Sequence, residues 1–337
     1  MTSHGTSTSA SLSMTATVVI VTYRSADVLP KCLASIPPHA EVVIVNQHAS
    51  DDIATVTRQL RPATKIIASG RNRGFGAGCN LGAANAAGDV LIFLNPDASF
   101  LDDSLDLLVD AVCANSETLV GPRLIDNDGY DITRARTWSS PLRDATTLLI
   151  PLILLPRRWR RDIPPDDAVY THGGRVPYVQ GACMAVGRRR FLRLGGFDEE
   201  FFLFGEEEYL AEQLAKSGLS AILEPRATIR HAEHTSVEKT RTFSVEQYHR
   251  TLGIRYRRNR ASRDVGAWIA ALRSLPLALV LLFLWCTSPA RIKLSYREVQ
   301  DATWCRAAIR GLLHGLMRHP VTGVDPAAPE EKTAHGG

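Results

Sequence analysis

Short apolar runs alternate with segments of helical periodicity over the first third of the chain. The apolar runs predict four strands, at Thr17–Thr22, Glu41–Asn46, Lys65–Ala68 and Asp89–Leu94. Apolar residues at helical spacing predict four helices, at Ala26–Ile36, Ser50–Leu60 with Ser50 as N-cap, Gly78–Ala87 and Ser104–Asn115. Strands that are apolar throughout and alternate with helices indicate a parallel sheet that is covered on both faces. We therefore predict a doubly wound, mostly parallel α/β sheet with helices on both faces.

The pattern weakens after Gly121, becomes regular again over residues 178–234 and then gives way to an Arg-rich C-terminal region. Thr147–Pro156 is apolar and is followed directly by the basic sequence RRWRR. A second apolar stretch, Ser274–Cys286, is shorter than the roughly 20 residues that span a bilayer. Both segments favour docking on an anionic membrane surface, although packing in a core or an oligomer would also explain them.

Composition divides the chain into four parts. Residues 1–14 and 321–337 are small and polar and are predicted to be disordered tails. Residues 15–240 form the α/β domain, and residues 241–320 form a helical, membrane-associating extension. The six cysteines are scattered without a C-x-x-C pair, and the N-terminus lacks the features of a signal peptide. We therefore expect reduced thiols and a cytoplasmic protein on the inner face of the membrane.

Polar residues follow each of the predicted parallel strands. They are Thr22-Tyr23, Asn46-Gln47, Ser69 with Asn72, and Asn95-Pro96-Asp97. The carboxyl ends of parallel strands meet at one edge of the sheet, where open α/β sheets bind ligands. Polar loops also occur there in sheets without a nucleotide site. The glycines at 74, 76 and 78 follow the third strand, not the first, so a dinucleotide fingerprint is not indicated.

Three further positions carry candidate chemistry. Asp97 offers a hard oxygen ligand for Mg²⁺ or Mn²⁺, but a turn aspartate after Pro96 is the alternative. The acids Glu206–Glu208 follow an aromatic run, and burial against aromatic rings raises a carboxyl pKa and makes a better base near neutral pH. A charged helix N-terminus would explain these acids equally well. His231 is either a further metal ligand or a structural histidine.

Together, these blocks resemble the family 2 glycosyltransferases of the GT-A fold. The similarity runs from about Ala16 to Ser236 and includes VVIVTYRS, VVIVNQHASDD, NRGFGAGCNLGAANAAGDVLIFLNPDA, YVQGACMAVGRRRFLRLGGFDEEFFLFGEEEYL and H-x-x-x-x-S, in family order. The Asn95-Pro96-Asp97 form and the GGFDEEFF block are most similar to members that transfer rhamnose from dTDP-rhamnose. Such enzymes build cell-wall or O-antigen polysaccharide on a lipid carrier.

The resemblance implies a role for each matching residue. Glu207 is the implied catalytic base, Asp97 and His231 hold the divalent metal, and Gly181, Ala182 and Glu206 lie on the acceptor side. The implied donor-binding residues are Thr22, Tyr23, Asn46, Gln47, Asp51, Asn72, Gly74, Asn95 and Asp97. The implied partners are a nucleotide-sugar donor, a glycan or polyprenyl-linked glycan acceptor and an anionic membrane. No nucleic acid is expected as a partner. A homodimer is an open alternative.

Three departures from the family pattern affect this interpretation. Asn46 replaces the usual aspartate that contacts the base, Glu207 replaces an aspartate, and Tyr209 stands where a second aspartate often does. The first departure leaves the donor nucleotide open, with UDP- and GDP-sugars as alternatives. Asn46 and Tyr209 leave open a catalytically degenerate scaffold in a polysaccharide-assembly complex. Because carboxylate chemistry survives at Glu207, we favour an active, inverting enzyme.

Overall fold

A computed structural model describes residues 14–138, 163–164, 166–232, 241–258, 307–308 and 310–317. The strands are β1 Ala16–Thr22, β2 Glu41–Asn46, β3 Lys65–Ala68, β4 Val90–Leu94, β5 Ala98–Phe100, β6 Leu119–Ile125, β7 Gly174–Val176, β8 Cys183–Gly187 and β9 Ala221–His231. The helices are α1 Leu29–Ser35, α2 Ile53–Leu60, α3 Phe75–Ala84, α4 Ser104–Ala114, α5 Val169–His172, α6 Arg188–Arg193, α7 Glu206–Ala215 and α8 Arg241–Arg258. Residues 310–317 are also helical.

The strands form one sheet in the order β3-β2-β1-β4-β8-β6-β9-β5, with β7 paired to β9. Strands β1 to β4 are parallel, as the apolar runs predict. Alternate residues of these strands enter two separate cores: Val18 and Ile20 pack on one face, whereas Val19 and Val21 pack on the other. The prediction of helices on both faces is therefore confirmed for this half of the sheet.

The second half of the sheet is mixed, which corrects the prediction of a mostly parallel sheet. Strand β8 runs antiparallel to both β4 and β6, and β9 is antiparallel to β5 and β7 but parallel to β6. A parallel neighbour requires a crossover connection, usually a helix, on one face of the sheet. The long connection before β8 lacks such a regular helical pattern, so the sequence there does not fix the strand direction.

Two helix starts differ from their predicted positions. Helix α2 begins after Asp52, whose side chain accepts a hydrogen bond from Thr55 N at 3.1 Å, and the predicted N-cap Ser50 instead bonds His48. Helix α3 begins at Phe75, earlier than predicted, because its glycines pack closely against β1. A Cβ at Gly78 would lie 2.6 Å from Val21 Cγ1, so tertiary packing keeps these poor helix formers helical.

Helix α8 packs against the loop that precedes α7. Its arginines pair with acids of this loop and of α7: Arg258 with Asp198 and Glu200, and Arg255 with Glu208. Among the helices that the structure describes, none is long and apolar enough to cross a membrane. Thr147–Pro156, its basic neighbours, Ser274–Cys286 and both predicted tails, apart from Met14, fall outside the described residues.

Candidate active site

The loops after β1 and β2 are joined by side chains at the carboxyl edge of the sheet. The Asp51 carboxylate accepts hydrogen bonds from the backbone N–H groups of Ser25 at 2.7 Å and Ala26 at 3.0 Å. The Asn46 amide donates to the Asp51 carbonyl and accepts from His48 N. Asn46 and Asp51 therefore shape these loops through backbone contacts, and a carboxylate that receives two N–H groups is well suited to hold them in place.

Gln47 joins the β2 loop to the glycine-rich loop before α3. Its buried amide donates to Gly74 O at 3.0 Å and accepts from Arg73 N at 2.8 Å. Asn72 accepts from Gly74 N at 3.0 Å, which closes a tight turn. Gly74 has φ +90° and ψ 171°, and a Cβ there would overlap the Phe202 carbonyl. The sequence-predicted residues Gln47, Asn72 and Gly74 are thus brought together.

The end of β1 presents a buried hydroxyl next to an aromatic side chain. Thr22 is fully buried, and its Oγ1 has no hydrogen-bond partner within the described part of the protein. The Tyr23 ring packs edge-on against His48, with ring centroids 5.2 Å apart. A buried hydroxyl without a partner carries a free-energy cost that a bound polar ligand would relieve.

Strand pairing brings Asp97 and His231 together. Strands β5 and β9 are antiparallel, with Ala98 opposite His231, and Ala232 N donates to Asp97 O at 3.2 Å. As a result, His231 Nε2 lies 3.3 Å from Asp97 Oδ1 and 3.3 Å from Asn95 Nδ2. Both ionisable side chains are only slightly exposed, at 15% for His231 and 13% for Asp97. Residues 134 positions apart in sequence therefore share one small polar site.

The donor atoms of this pair suit a divalent cation. Neighbouring ligands on a six-coordinate ion with bonds of about 2.1 Å are about 3 Å apart, close to the observed 3.3 Å separation. Carboxylate oxygen and imidazole nitrogen are both acceptable to Mn²⁺, and carboxylate oxygen is acceptable to Mg²⁺. Within the described residues, no cluster of three or more His, Cys, Asp or Glu side chains could hold a metal. A cation here would need further ligands from a substrate or water.

The three acids at the start of α7 have different surroundings. Glu206 is buried, its Oε2 has no hydrogen-bond partner among the described residues, and desolvation and the neighbouring Glu207 raise the pKa of its carboxyl well above normal. Glu208 is also buried, but it pairs with Arg255 at 3.2 Å. Glu207 is only partly exposed, and desolvation raises the pKa of its carboxyl as well.

A chain of contacts connects the Asp97 region to Glu207. Asn95 N donates to Ala182 O at 2.9 Å, and Ala182 follows Gly181 directly. A Cβ at Gly181 would lie 3.8 Å from the Glu207 carboxyl carbon. The lack of a side chain at Gly181 therefore leaves space beside that carboxylate. Two groups of predicted residues, from the strand ends and from α7, thus meet at the same edge of the sheet.

Two residues of this site were missed from the sequence. Gly205 N donates to Glu207 Oε2 at 3.0 Å, and the Arg136 charge opposes the raised pKa of Glu207. A glycine directly before an acidic helix start is a signal for a left-handed cap, and Gly205 has φ +84°. Arg136 lies in the region without periodicity, where no sequence pattern marks it.

Two solved structures share the α/β fold of this chain. The structure is similar to that of a mannosyltransferase from Pyrobaculum calidifontis, with a TM-score of 0.54 and 17% identity over 92% of this chain and 89% of that chain. It is also similar to GalNAc-T7, with a TM-score of 0.50 and 19% identity over 72% of this chain. The match spans about half, 48%, of the GalNAc-T7 chain. At these identities the similarity establishes the fold.

The chain belongs to glycosyl transferase family 2, whose profile matches residues 17–190, and it is a glycosyltransferase. It is 26% identical over 277 residues to the N-acetylglucosaminyl-diphospho-decaprenol L-rhamnosyltransferase of Mycobacterium tuberculosis, covering 76% of this chain and 87% of that protein. It is 24% identical over 196 residues to the low-salt glycan biosynthesis hexosyltransferase Agl10 of Haloferax volcanii, covering 56% of this chain and 58% of that protein.

Proposed function

We propose that this glycosyltransferase moves rhamnose from dTDP-rhamnose, with inversion, to a glycan or lipid-linked glycan acceptor in cell-envelope polysaccharide synthesis. The observation that carries the proposal is the desolvated Glu207 carboxylate beside Gly181, on the sheet edge that also carries Asp97 and His231. The mycobacterial relative, whose name specifies a rhamnosyl transfer to a diphospho-decaprenol carrier, supports the choice of sugar and acceptor.

Glu207 is the proposed general base. Its carboxylate takes the proton from an acceptor hydroxyl while that oxygen attacks the anomeric carbon and the bond to the nucleoside diphosphate breaks. Desolvation raises the pKa of Glu207 above its usual range, which makes the carboxylate a stronger base. Burial and the neighbouring Glu207 raise the pKa of Glu206, which disfavours two adjacent negative charges at the site.

Asp97 and His231 are the proposed ligands of a divalent cation, Mg²⁺ or Mn²⁺. When bound, such a cation supplies positive charge that stabilises a departing diphosphate. Asn95, whose amide contacts His231, orients the imidazole of that pair. The presence of Mn²⁺ in the mannosyltransferase and GalNAc-T7 structures supports this proposal. The loops joined by Asp51 and Gln47 are proposed to hold the nucleotide, with the unpartnered Thr22 hydroxyl facing a polar group of the donor.

A lipid-linked acceptor also explains the proposed location of the enzyme. We propose that it works on the cytoplasmic face of the cell membrane and binds that face peripherally, through the apolar Thr147–Pro156 and the arginines that follow. The lipid carrier named for the mycobacterial relative is consistent with an acceptor held in a membrane.

The test measures transfer and hydrolysis with dTDP-rhamnose, UDP-N-acetylglucosamine and GDP-mannose, using polyprenyl-diphosphate-linked N-acetylglucosamine as acceptor. We expect turnover with dTDP-rhamnose to exceed that with the other donors. Glu207→Gln should lower kcat by about 10²–10⁴-fold while donor affinity changes little, because general-base help contributes only in the transition state. Glu207→Asp keeps the carboxylate and is the matched control. Near-normal turnover by Glu207→Gln would refute the base assignment, and preference for another donor would refute the sugar assignment.

A separate titration tests the cation. Calorimetry should show that Mn²⁺ strengthens donor binding to the wild type and does not do so for Asp97→Ala. Asp102→Ala, at an exposed aspartate in the next turn, is the control that should retain the Mn²⁺ effect. Equal Mn²⁺ dependence in Asp97→Ala and the wild type would exclude Asp97 as a ligand.

A further inference from the structure

One peptide unit, between Phe204 and Gly205, connects Glu207 to helix α8. Its N–H, from Gly205, donates to Glu207 Oε2 at 3.0 Å. Its carbonyl, from Phe204, accepts a hydrogen bond from the buried Thr251 hydroxyl at 2.7 Å. Because a trans peptide is planar, with its N–H and C=O pointing in opposite directions, fixing the carbonyl also fixes the direction of the N–H.

The backbone around this peptide does not hold that orientation by itself. Phe204 has φ +69° and Gly205 has φ +84°, so both residues occupy the left-handed region. For a bulky residue such as Phe204 this region is unfavourable. Such a strained conformation persists only where contacts with surrounding residues stabilise it. The contacts that hold it are therefore part of how the Glu207 carboxylate is positioned.

Helix α8 supplies those contacts. Thr251 Cγ2 occupies the space that a Cβ at Gly205 would fill, so the methyl group packs on the glycine while the hydroxyl binds the preceding carbonyl. Arg250 donates to Glu200 O at 2.7 Å, and Arg258 binds Asp198 and Glu200 at 2.6 Å each. The loop 198–205 is thus bound to α8 at several points along its length.

The opposite side of α8 is fixed by the C-terminal helix 310–317. Gly253 and Gly315 face each other where the two helices cross, and a Cβ on Gly253 would lie 3.0 Å from Gly315 Cα. Such a close crossing leaves no room for α8 to move towards that helix. Thr251 is therefore presented to the Phe204–Gly205 peptide by a helix that is packed on both sides.

We propose that Thr251 is a positioning residue for Glu207: its hydroxyl locks the Phe204–Gly205 peptide so that the Gly205 N–H stays on the Glu207 carboxylate. The assignment of Glu207 as the base rests on the function proposed above, whereas the lock itself is a property of the folded chain. The hydroxyl also polarises the peptide to which it donates, which strengthens the hydrogen bond from its N–H.

The lock affects the ionisation of Glu207 in a defined direction. Desolvation raises the pKa of Glu207, and so does the charge of Glu208. The backbone N–H of Glu207 itself, the charge of Arg136 and the Gly205 N–H each lower the pKa of Glu207, and the carboxyl of Glu206 is its charged neighbour. A hydrogen bond to the charged form favours that form. Loss of the Gly205 contact therefore raises the pKa of Glu207 further and shifts the carboxyl towards its protonated, inactive state.

The experiment titrates the Glu207 carboxyl directly in the full chain. The protein is labelled with ¹³C at the glutamate δ-carboxyl, and the Glu207 resonance is identified by its absence in Glu207→Gln. In Thr251→Val, which keeps the side-chain shape but removes the hydroxyl, we expect the pKa of Glu207 to rise above the wild-type value. In Thr251→Ser, which keeps the hydroxyl, we expect the wild-type value. Thr251→Ala is a second variant without the hydroxyl in case the valine protein does not fold.

Each outcome decides the proposal. A raised pKa of Glu207 in Thr251→Val or Thr251→Ala but not in Thr251→Ser supports the lock. An unchanged pKa in the hydroxyl-less variants overturns it, as does an equal rise in Thr251→Ser, because packing alone would then be responsible. The titration needs no substrate. The titration can therefore support the role of Thr251 even if near-normal turnover by Glu207→Gln refutes the proposed function. It can also refute the role of Thr251 while the proposed function stands. The failure of one proposal is thus distinguishable from the failure of the other.

Discussion

At the residue scale, Gly74 shows how close packing at the site depends on a missing side chain. Its backbone lies in a region open almost only to glycine, and a Cβ would overlap the Phe202 carbonyl. Phe75 N donates to that same carbonyl at 3.0 Å, so the two loops cannot separate without losing a hydrogen bond. The glycine therefore holds the loop before α3 against the loop before α7.

Gly74→Ala should destabilise the fold by about 3 kcal/mol or more, since backbone strain and overlap with a carbonyl act together. Gly70→Ala is the matched control. Gly70 also has a positive φ, +75°, but nothing lies within 4 Å of its Cβ position, so only strain of about 1–2 kcal/mol applies. Urea unfolding of both variants measures the difference. Equal losses of unfolding free energy in the two variants would mean that the close approach to Phe202 adds no cost to the substitution at Gly74.

Glu206 makes stability depend on pH. The pKa of its carboxyl is raised in the folded protein, so this group stabilises the fold fully below the ordinary glutamate pKa of about 4.3. That contribution is lost as the pH rises towards the folded-state pKa, because the unfolded chain then releases the proton more readily. The raised pKa of Glu206 therefore makes the free energy of unfolding smaller at higher pH than at acid pH.

Glu206→Gln should therefore raise the melting temperature at pH 8 and change it little at pH 4. Thermal unfolding at both pH values checks this expectation. Glu199→Gln is the control, because its carboxylate is about half-exposed and pairs with Arg73 at the surface. If Glu206→Gln and the wild type have the same melting temperature at both pH values, desolvation does not raise the pKa of Glu206.

At the element scale, α8 is tied to α7 by a buried ion pair. The side chains of Arg255 and Glu208 are 8% and 3% exposed, and Arg255 also contacts Glu212. Removing one partner of such a pair leaves a buried charge without compensation. This contact keeps the α7 N-terminus, and with it Glu207, against the helix that carries Thr251.

Arg255→Met should cost about 3–5 kcal/mol of unfolding free energy. Arg123→Met is the matched control, since Arg123 pairs with Asp131 at 2.8 Å in a half-exposed setting and should cost at most about 1 kcal/mol. Urea unfolding at low and high salt distinguishes the two pairs, because salt screens mainly the exposed one. A loss for Arg255→Met no larger than for Arg123→Met would argue against the proposed role of α8.

At the scale of the whole molecule, the proposed membrane contact can be tested with vesicles. The protein should sediment with anionic liposomes at low salt and remain in solution with neutral ones. Each arginine near an anionic surface contributes about 1 kcal/mol. Replacing Arg157, Arg158, Arg160 and Arg161 by glutamine should therefore weaken binding by on the order of 4 kcal/mol. Equal sedimentation with neutral vesicles, or none with anionic vesicles, would refute docking through this segment.

Sequence patterns were most informative where strand and helix alternate locally. Strands β2 and β3 have the predicted bounds, and β1 and β4 differ by one residue. Strands β1, β2 and β4 are buried, because apolar runs between helices have few alternatives to a buried strand, whereas β3 is mostly exposed. The short strand β5 and the reversed direction of β8 were missed. Both depend on pairing with strands far away in sequence, for which a local pattern has no signal.

The sequence by itself determined the parallel half of the sheet, the polar strand ends and the acidic start of α7, because these follow from periodicity over a few residues. Only the tertiary structure decided which residues face each other. The β5–β9 pairing brings Asp97 to His231, and helix α8 brings Thr251 to the peptide that binds Glu207. The physical reason is that long-range pairing and desolvation depend on the whole fold. The tertiary structure therefore determines which of three adjacent glutamates is ion-paired, which is buried with one oxygen unbonded among the described residues, and which lies beside Gly181.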